Sequence, residues 1–167
     1  ILSPERPVPE LARLGALPLM TPACVGVVDI PPDRALRRSG LEQKWRNRLS
    51  HAETQALRIT RQNMPMAPDH WLLRADAAQQ KRRRYRSWPT ALTLAYGEAN
   101  RGAAKLFEAH EGRETVAGIM VLTHGDGATY HIAHSTDRGR GLSAHNLLMW
   151  NAMEWLASKG IRQLDLG

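Results

Sequence analysis

The sequence predicts a mixed α/β domain in which antiparallel strands lead into a strand–helix–strand unit. Alternating apolar residues from 103 to 132 predict three antiparallel strands joined by tight turns. Apolar residues then recur at spacings of three and four, which predicts a helix over 143–159. The segment 163–166 follows as a strand, and a right-handed crossover makes it parallel and adjacent to the strand at 128–134.

Composition narrows the class of protein. We expect a proline-rich arm over 1–22 and a single domain over 23–167, because 167 residues suffice for one core. The net charge of +7 favours an anionic partner such as RNA or a nucleotide cofactor. The single cysteine, Cys24, excludes a disulfide framework within the chain, and its apolar neighbours predict a core position. No membrane-spanning run or signal peptide is visible, so we expect a cytoplasmic protein.

Helices are predicted to dominate the first hundred residues. A helical turn is expected near 10–14, and the apolar, β-branched run 24–30 predicts a buried strand. Periodicity and helix-start residues predict three further helical stretches: 34–59 with a break near Gly40, 70–86 capped by Asp69, and 91–100. These helices precede the strands and are expected to cover the sheet.

Two glycines mark special backbone positions. Gly118 lies inside the second predicted strand, which indicates a bulge or a close backbone approach. Gly160 follows the predicted long helix and is expected to end it in a left-handed conformation, with Ile161 as the apolar contact.

The stretch before the long helix predicts an anion site. We expect a loop over 135–141, followed by a helix that Ser143 caps. The first amides of a helix are free to bind an anion, and Gly139 and Gly141 allow close approach. Arg138 and Arg140 add forked donors that suit phosphate oxygens. The alternative is a surface turn whose arginines face solvent.

The same stretch resembles the coenzyme A pyrophosphate loop of the GNAT acyltransferases. In that loop an Arg or Gln is followed by two variable residues, a glycine, one variable residue, and Gly or Ala. Arg138 and Gly141 match, whereas Ser143 stands where Gly or Ala is usual. The resemblance implies that the donor-binding residues are Arg138, Gly139, Arg140, Gly141, Leu142 and Ser143. It also implies a GNAT-like fold, with antiparallel strands before a β-α-β unit.

Two further segments resemble the Fem-like branch of that fold, which transfers acyl and aminoacyl groups. They are Lys-Trp-Arg-Asn-Arg-Leu at 44–49 with Ala-Glu at 52–53, and 144–150 leading into Leu-Asp-Leu-Gly at 164–167. The resemblance implies an N-acyltransferase whose donor is acetyl-CoA, another acyl-CoA or an aminoacyl-tRNA, and whose acceptor is a small-molecule or peptide amine. The donor is expected to enter where the strands around the long helix splay apart. Further strands are expected after Gly167.

Acyl transfer to an amine needs a base, and four side chains are candidates near the expected cleft. His134, Asp137 and Asp165 are the proposed catalytic residues, and Glu108 is a fourth candidate. A hydrogen-bonded strand-end histidine and an aspartate paired with arginine are the structural alternatives. His131 and His134 are expected on opposite strand faces, so no metal site is predicted.

Two non-catalytic alternatives stay open. Basic residues at 44–48 and 81–86, with Tyr85 and Trp88 as neighbouring aromatics, are also typical of an RNA-binding module. They are equally typical of solvated helix surfaces. A transferase fold that only binds a partner protein is the second alternative.

Overall fold

A computed structural model describes residues 8–17 and 25–167 of the chain. Cys24, predicted in the core, lies outside the described residues. The helices and strands follow in chain order: α1 (Pro9–Arg13), β1 (Val27–Asp29), α2 (Arg34–Ser39), α3 (Gln43–Glu53), β2 (Leu57–Asn63), α4 (Trp71–Arg83), α5 (Thr90–Ala99), β3 (Ala104–Glu111), β4 (Glu114–His124), β5 (Gly127–Ser135), α6 (Asp137–Gly141), α7 (Ala144–Ser158) and β6 (Gln163–Asp165).

The strands form one six-stranded mixed sheet in the order β1-β6-β5-β4-β3-β2. Strands β3, β4 and β5 make the predicted antiparallel meander. Strand β6 returns beside β5 in the parallel direction, with Gly127 opposite Gln163 and Thr129 opposite Asp165. The predicted parallel strand pair joined by a long helix is therefore confirmed.

Strand β1 corrects one prediction, because it lies at the edge of the sheet and is mostly exposed. It pairs antiparallel with β6, from Val27 opposite Asp165 to Asp29 opposite Gln163. Val27 is 52% exposed, and the buried part of the predicted 24–30 strand is confined to Ile30 just beyond it. Apolar composition predicted the strand itself, but not its place at the edge of the sheet, where only Val28 packs partly against the core.

Helices cover both faces of the sheet and create two cores. On one face α3 and α7 pack against the sheet, with Leu49, Leu148, Leu156 and Phe107 fully or nearly fully buried. On the other face α4 and α5 enclose a smaller core around Leu72. A fully buried leucine contributes about 2 kcal/mol relative to an exposed one, so the α7 face supplies most of the apolar stabilisation.

A buried arginine ties α2 to the middle of α7. The guanidinium of Arg37 donates to the carbonyl oxygens of Pro31 and Pro32 and to Glu154 at 2.7 Å, and its side chain is only 6% exposed. Arg34 donates to the same carboxylate at 2.8 Å. Burial alone would raise the pKa of Glu154, but the hydrogen bonds from the two arginines outweigh it and lower the pKa.

Several predicted boundaries move for local reasons. The stretch 34–59 contains two helices and the start of β2, so Arg58 lies on a strand. Helix α4 is capped by the His70 side chain, which accepts from the Leu72 amide, and not by Asp69. It ends at Arg83 because Arg84 adopts a left-handed conformation, with φ of 56°.

A β-bulge in β5 reverses the predicted orientation of one histidine. Met120 pairs with Ile132 and Val121 with Tyr130, which leaves His131 as the extra residue. Its Nε2 lies 2.8 Å from Thr93 Oγ1 on α5, while His134 packs edge-on against Trp71 on α4. Both histidines therefore face the α4/α5 side, and the prediction of opposite faces was wrong because the bulge breaks the alternation.

Candidate functional site

The predicted 135–141 loop is in fact the short helix α6. The Thr136 hydroxyl accepts from the Gly139 amide at 3.0 Å and donates to the Val116 carbonyl at 3.1 Å. The amides of Arg140 and Leu142 donate to carbonyls within the same turn. These backbone donors, which were expected to hold a phosphate, are thus used inside the helix.

The two glycines of α6 have different roles. A Cβ on Gly139 would lie 2.2 Å from the Val116 carbonyl oxygen, so only glycine lets α6 dock against β4. A Cβ on Gly141 would meet no heavy atom within 4 Å. Gly139 therefore serves packing, whereas the space beside Gly141 is open to a ligand.

The two arginines of α6 are paired with carboxylates. Arg138 makes a bidentate contact with Glu111, with its Nε 2.7 Å from Oε2. Hydrogen bonding to Arg138 lowers the pKa of Glu111. Arg140 bonds Asp137 and also donates to the Ser135 carbonyl. Both charges are neutralised in part before any ligand arrives.

A pocket opens at the start of α7. Its volume is about 380 Å³, and we call it the entry pocket; its lining residues are Arg48, Gly139, Arg140, Ser143, His145 and Asn146. Ser143 occupies the cap position with φ of 53°, but its side chain makes no capping bond, which corrects the prediction. The first amide of α7 that donates to a carbonyl is that of Asn146, which bonds Ser143 at 3.0 Å. Arg48 from α3, predicted only as part of a basic helix face, therefore joins Arg140 at a positive helix end.

A half-buried pair of side chains links β5 to the wall of the entry pocket. The Tyr130 hydroxyl lies 2.8 Å from His145 Nε2. Burial raises the pKa of Tyr130 to about 12 and lowers the pKa of His145. Both groups therefore stay neutral at pH 7, and the positive charge of the pocket comes from its arginines.

One edge of β5 is open next to this pocket. Strand β6 pairs only with positions 127–129, and no other described strand pairs with 130–135 on that side. A strand edge offers unpaired amides and carbonyls. The gap implied by the GNAT resemblance therefore corresponds to the second half of β5.

His134 lies on that half of β5, over the α4 face of the sheet. Its ring packs edge-on against Trp71, with centroids 6.2 Å apart. Burial lowers the pKa of His134, and the charges of Arg140 and Arg82 lower it further. A neutral imidazole of this kind can accept a proton.

Glu108, Gly118 and His134 occupy one row across β3, β4 and β5. The Trp71 indole lies over Gly118, where a Cβ would come within 2.7 Å of the ring. The Trp71 Nε1 donates to the Glu108 carboxylate at 2.7 Å, and Glu108 is 8% exposed. The close approach predicted at Gly118 is therefore made by a side chain, that of Trp71, and not by another backbone segment. The sequence could not distinguish these two cases.

Among the described residues, no hydrogen bond joins His134 to either of the other two proposed catalytic residues. The Asp137 side chain is 98% exposed and bonds Arg140. Asp165 lies opposite Thr129, five positions from His134 along β5, and accepts from the Gly167 amide at 2.8 Å. At about 3.3 Å per residue, Asp165 and His134 are roughly 16 Å apart along the strand.

The basic end of α4 also carries aromatic side chains. Exposed aromatic side chains, Tyr85 and Trp88, accompany the basic end of α4. Among residues 8–17 and 25–167 no group of metal-binding side chains is found. In the same ranges, no helix has the length and apolar character needed to cross a bilayer.

Comparisons with known proteins relate this geometry to a family. A family model described as an acetyltransferase (GNAT) domain matches residues 36–167. The crystal structure of FemX aligns with a TM-score of 0.69 at 10% identity and covers 86% of this chain and 52% of its own. The C-terminal domain (DUF2156) of a putative lysylphosphatidylglycerol synthetase from Agrobacterium fabrum aligns with a TM-score of 0.52 at 15% identity and covers 86% of this chain and 45% of its own.

The L-PGS structure from Bacillus licheniformis also aligns, with a TM-score of 0.52 at 12% identity, over 86% of this chain and 44% of its own. A comparison with curated protein sequences finds no significant match. The chain thus spans about half the length of the solved structures it resembles, and at these identities the likeness concerns the fold.

Proposed function

Because the chain belongs to the family of GNAT acetyltransferase domains, we propose that it transfers an acyl group to the nitrogen of an amine acceptor. The observation that carries the proposal is the entry pocket at the start of α7, beside the open edge of β5. The pocket can hold the phosphates of a donor, and the open edge can receive the acyl group next to them.

The donor we propose first is an acyl-CoA such as acetyl-CoA. Its pyrophosphate would contact Arg48, Arg140 and the first amides of α7, where the helix dipole favours an anion. The volume of about 380 Å³ is sufficient for a diphosphate. The open space beside Gly141 would let the donor approach the backbone. No metal takes part in this proposal.

In the proposed reaction the amine nitrogen attacks the acyl carbonyl carbon. A C–N bond forms, the C–S bond of the thioester breaks, and the amine proton passes to a base and then to the leaving thiolate. His134 is the proposed base, because it lies on the open half of β5 and its lowered pKa keeps it neutral. Free amides of the β5 edge would stabilise the oxyanion.

A specific observation favours a second donor, an aminoacyl-tRNA. The amides and arginines of α6 are already bonded within the protein, which leaves fewer donors for a pyrophosphate than the loop was expected to have. The basic end of α4, with Tyr85 and Trp88, would then contact the RNA. The acceptor would be a small-molecule or peptide amine with either donor, and a cytoplasmic location is proposed because both donors occur there.

Thermal unfolding with each donor distinguishes the two. Acetyl-CoA at 100 times its Kd should stabilise the folded protein by about 2.7 kcal/mol. Arg48→Gln/Arg140→Gln should abolish that shift, while Arg58→Gln/Arg113→Gln, with the same charge change, should keep it. If instead tRNA binds with a steep salt dependence, and replacing Arg82, Arg83 and Arg84 with Gln removes it, the donor is the tRNA.

The base is tested by His134→Gln, which should lower kcat about a hundredfold, as expected for loss of a general base. The control is His124→Gln at the exposed end of β4, which should retain full activity. A variant that keeps its rate and the acidic limb of its pH profile would assign the base to another residue.

A further inference from the structure

A second pocket lies at the opposite end of α7, far from the proposed donor site. Its volume is about 470 Å³. We call it the basic pocket; it is lined chiefly by Arg61, Lys105, Thr123, Trp155, Lys159 and Ile161. Three of these six side chains are cationic, and the sequence contained no motif that pointed to them.

The sheet register places the strand-borne cations on the α7 face. Arg61 on β2 pairs with Phe107 on β3, and Lys105 lies two residues before Phe107 on the same side. Phe107 packs edge-on against Trp155, with centroids 5.9 Å apart. Arg61 and Lys105 each lie 5.7 Å from the Trp155 ring centroid, so both cations converge on one aromatic side chain.

These cations have no acidic partner among the described residues. None of the ion pairs there includes Arg61, Lys105 or Lys159. Within the described chain, the one hydrogen bond of the Lys105 ammonium goes to the neutral side-chain oxygen of Asn63. Burial lowers the pKa of Lys105, and the charges of Arg61 and Lys159 lower it further. Like charges held together without a counter-charge are unfavourable, and an anion would relieve the repulsion.

We propose that the basic pocket binds the diphosphate group of a small phosphorylated ligand. One forked guanidinium and two ammonium groups match the several oxygens of a diphosphate and its multiple negative charge. The pocket is concave, which suits a compact group better than an extended strand. The site is separate from the entry pocket, since the two lie at opposite ends of α7.

Lysine labelling tests the proposal at single residues. The chain has four lysines: Lys44, Lys81, Lys105 and Lys159. After brief reaction with an amine-specific acylating reagent, mass spectrometry measures the modified fraction of each, with and without inorganic pyrophosphate at constant ionic strength. Pyrophosphate should slow the labelling of Lys105 and Lys159 at least threefold. Lys81 should not change, and protection of Lys44, one turn before Arg48, would report the entry pocket.

A matched pair of variants separates binding from general charge. Arg61→Gln removes one proposed ligand contact without altering a labelled residue, and should abolish the protection of Lys105 and Lys159. Arg58→Gln removes the same charge three residues earlier on β2, on the opposite face, and should leave the protection intact. Protection that survives Arg61→Gln would overturn the proposal. So would the absence of any protection of Lys105 and Lys159 in the unmodified chain at pyrophosphate concentrations up to about 10 mM.

A second arm distinguishes a small ligand from nucleic acid. A single-stranded RNA of about ten nucleotides is titrated in place of pyrophosphate. If the site is built for a small diphosphate, the RNA should leave Lys105 labelling unchanged at concentrations where pyrophosphate protects it. Protection of Lys105 and Lys81 together by RNA, with no effect of pyrophosphate, would assign the surface to a nucleic-acid backbone instead. If the basic pocket does not bind a diphosphate, the acyltransferase proposal is unaffected, because the proposed donor site lies at the other end of α7.

Discussion

The cationic side chains at the two ends of α7 differ in whether carboxylates are paired with them. At the start of the helix, Arg138 and Arg140 are paired with Glu111 and Asp137, and the positive charge is partly neutralised within the protein. At the end of the helix, the cations of the basic pocket have no carboxylate partner in the described chain. The end that carries a recognisable motif is therefore the less charged of the two.

The difference shows that a motif and a binding site need not coincide. Much of the stretch 135–141 builds structure. Thr136 caps α6, Gly139 lets α6 dock on β4, and amides of α6 donate to carbonyls of the same helical turn. The cations of the basic pocket pack on the Trp155 ring but have no carboxylate partner in the described chain, so they are more informative about an anionic ligand than the paired arginines are.

The largest expected effect tests the structural role of the motif. Gly139→Ala should lower the free energy of unfolding by about 3 kcal/mol, because its Cβ would overlap the Val116 carbonyl. Gly141→Ala should leave stability unchanged or raise it by about 0.5 kcal/mol, since nothing lies near its Cβ. Urea unfolding measures both; equal effects would mean that α6 does not dock as described.

The next effect concerns the ion pair between α2 and α7. Glu154→Gln should lower the free energy of unfolding by about 2 kcal/mol, because it leaves the buried Arg37 charge without its carboxylate. Glu53→Gln, which removes the partner of the more exposed Arg38, should cost about 0.5 kcal/mol. A similar loss in both variants would show that burial of Arg37 does not matter.

A smaller effect is the pH dependence of stability that arises from His145 at the start of α7. The folded protein holds the pKa of His145 below the ordinary value of 6.5, so the unfolded chain binds this proton more readily. Stability should therefore decline as pH falls below 6.5. His145→Gln should make that decline shallower, which urea midpoints at pH 5.5 and 7.5 would reveal. His70, His131 and His134 have lowered pKa values as well, and they account for the remaining part of the decline in stability.

The smallest effect tests whether the cations of the basic pocket repel one another. Lys105→Met should raise the free energy of unfolding by about 0.5 kcal/mol at low salt, because it removes repulsion among like charges. The gain should shrink at 0.5 M salt, where such repulsion is screened. A loss of stability at every salt concentration would mean that the Lys105 charge supports the fold and is not held for a ligand.

Sequence predicted most of the fold because the signals were local. The periodicity of α7 and the left-handed stop at Gly160, with φ of 77°, depend on neighbouring residues, and both are confirmed. The helical state of α6 was missed because local composition indicates a loop there. What stabilises α6 is its contact with Val116 on β4, which is not a local property of the stretch.

The candidate site was less predictable because its parts come from distant segments. Arg138 was expected to face a ligand, but its partner Glu111 lies 27 positions away. The orientation of His131 depended on a bulge that no residue type announced. Gly118 was a real signal of close approach, yet only the fold shows that Trp71 fills the space. The roles of His134, Asp137 and Asp165 stay predictions.

The pairing of β1 with β6 has a consequence for the order of folding. Asp29 and Gln163, which face each other at this edge, are 134 positions apart in the chain. The β3–β4 and β4–β5 hairpins join neighbours, so the chain entropy lost in closing them is far smaller. Pairing of β1 should therefore come late, after the meander and α7 are in place. Its amides should exchange hydrogen sooner than those of the central strands.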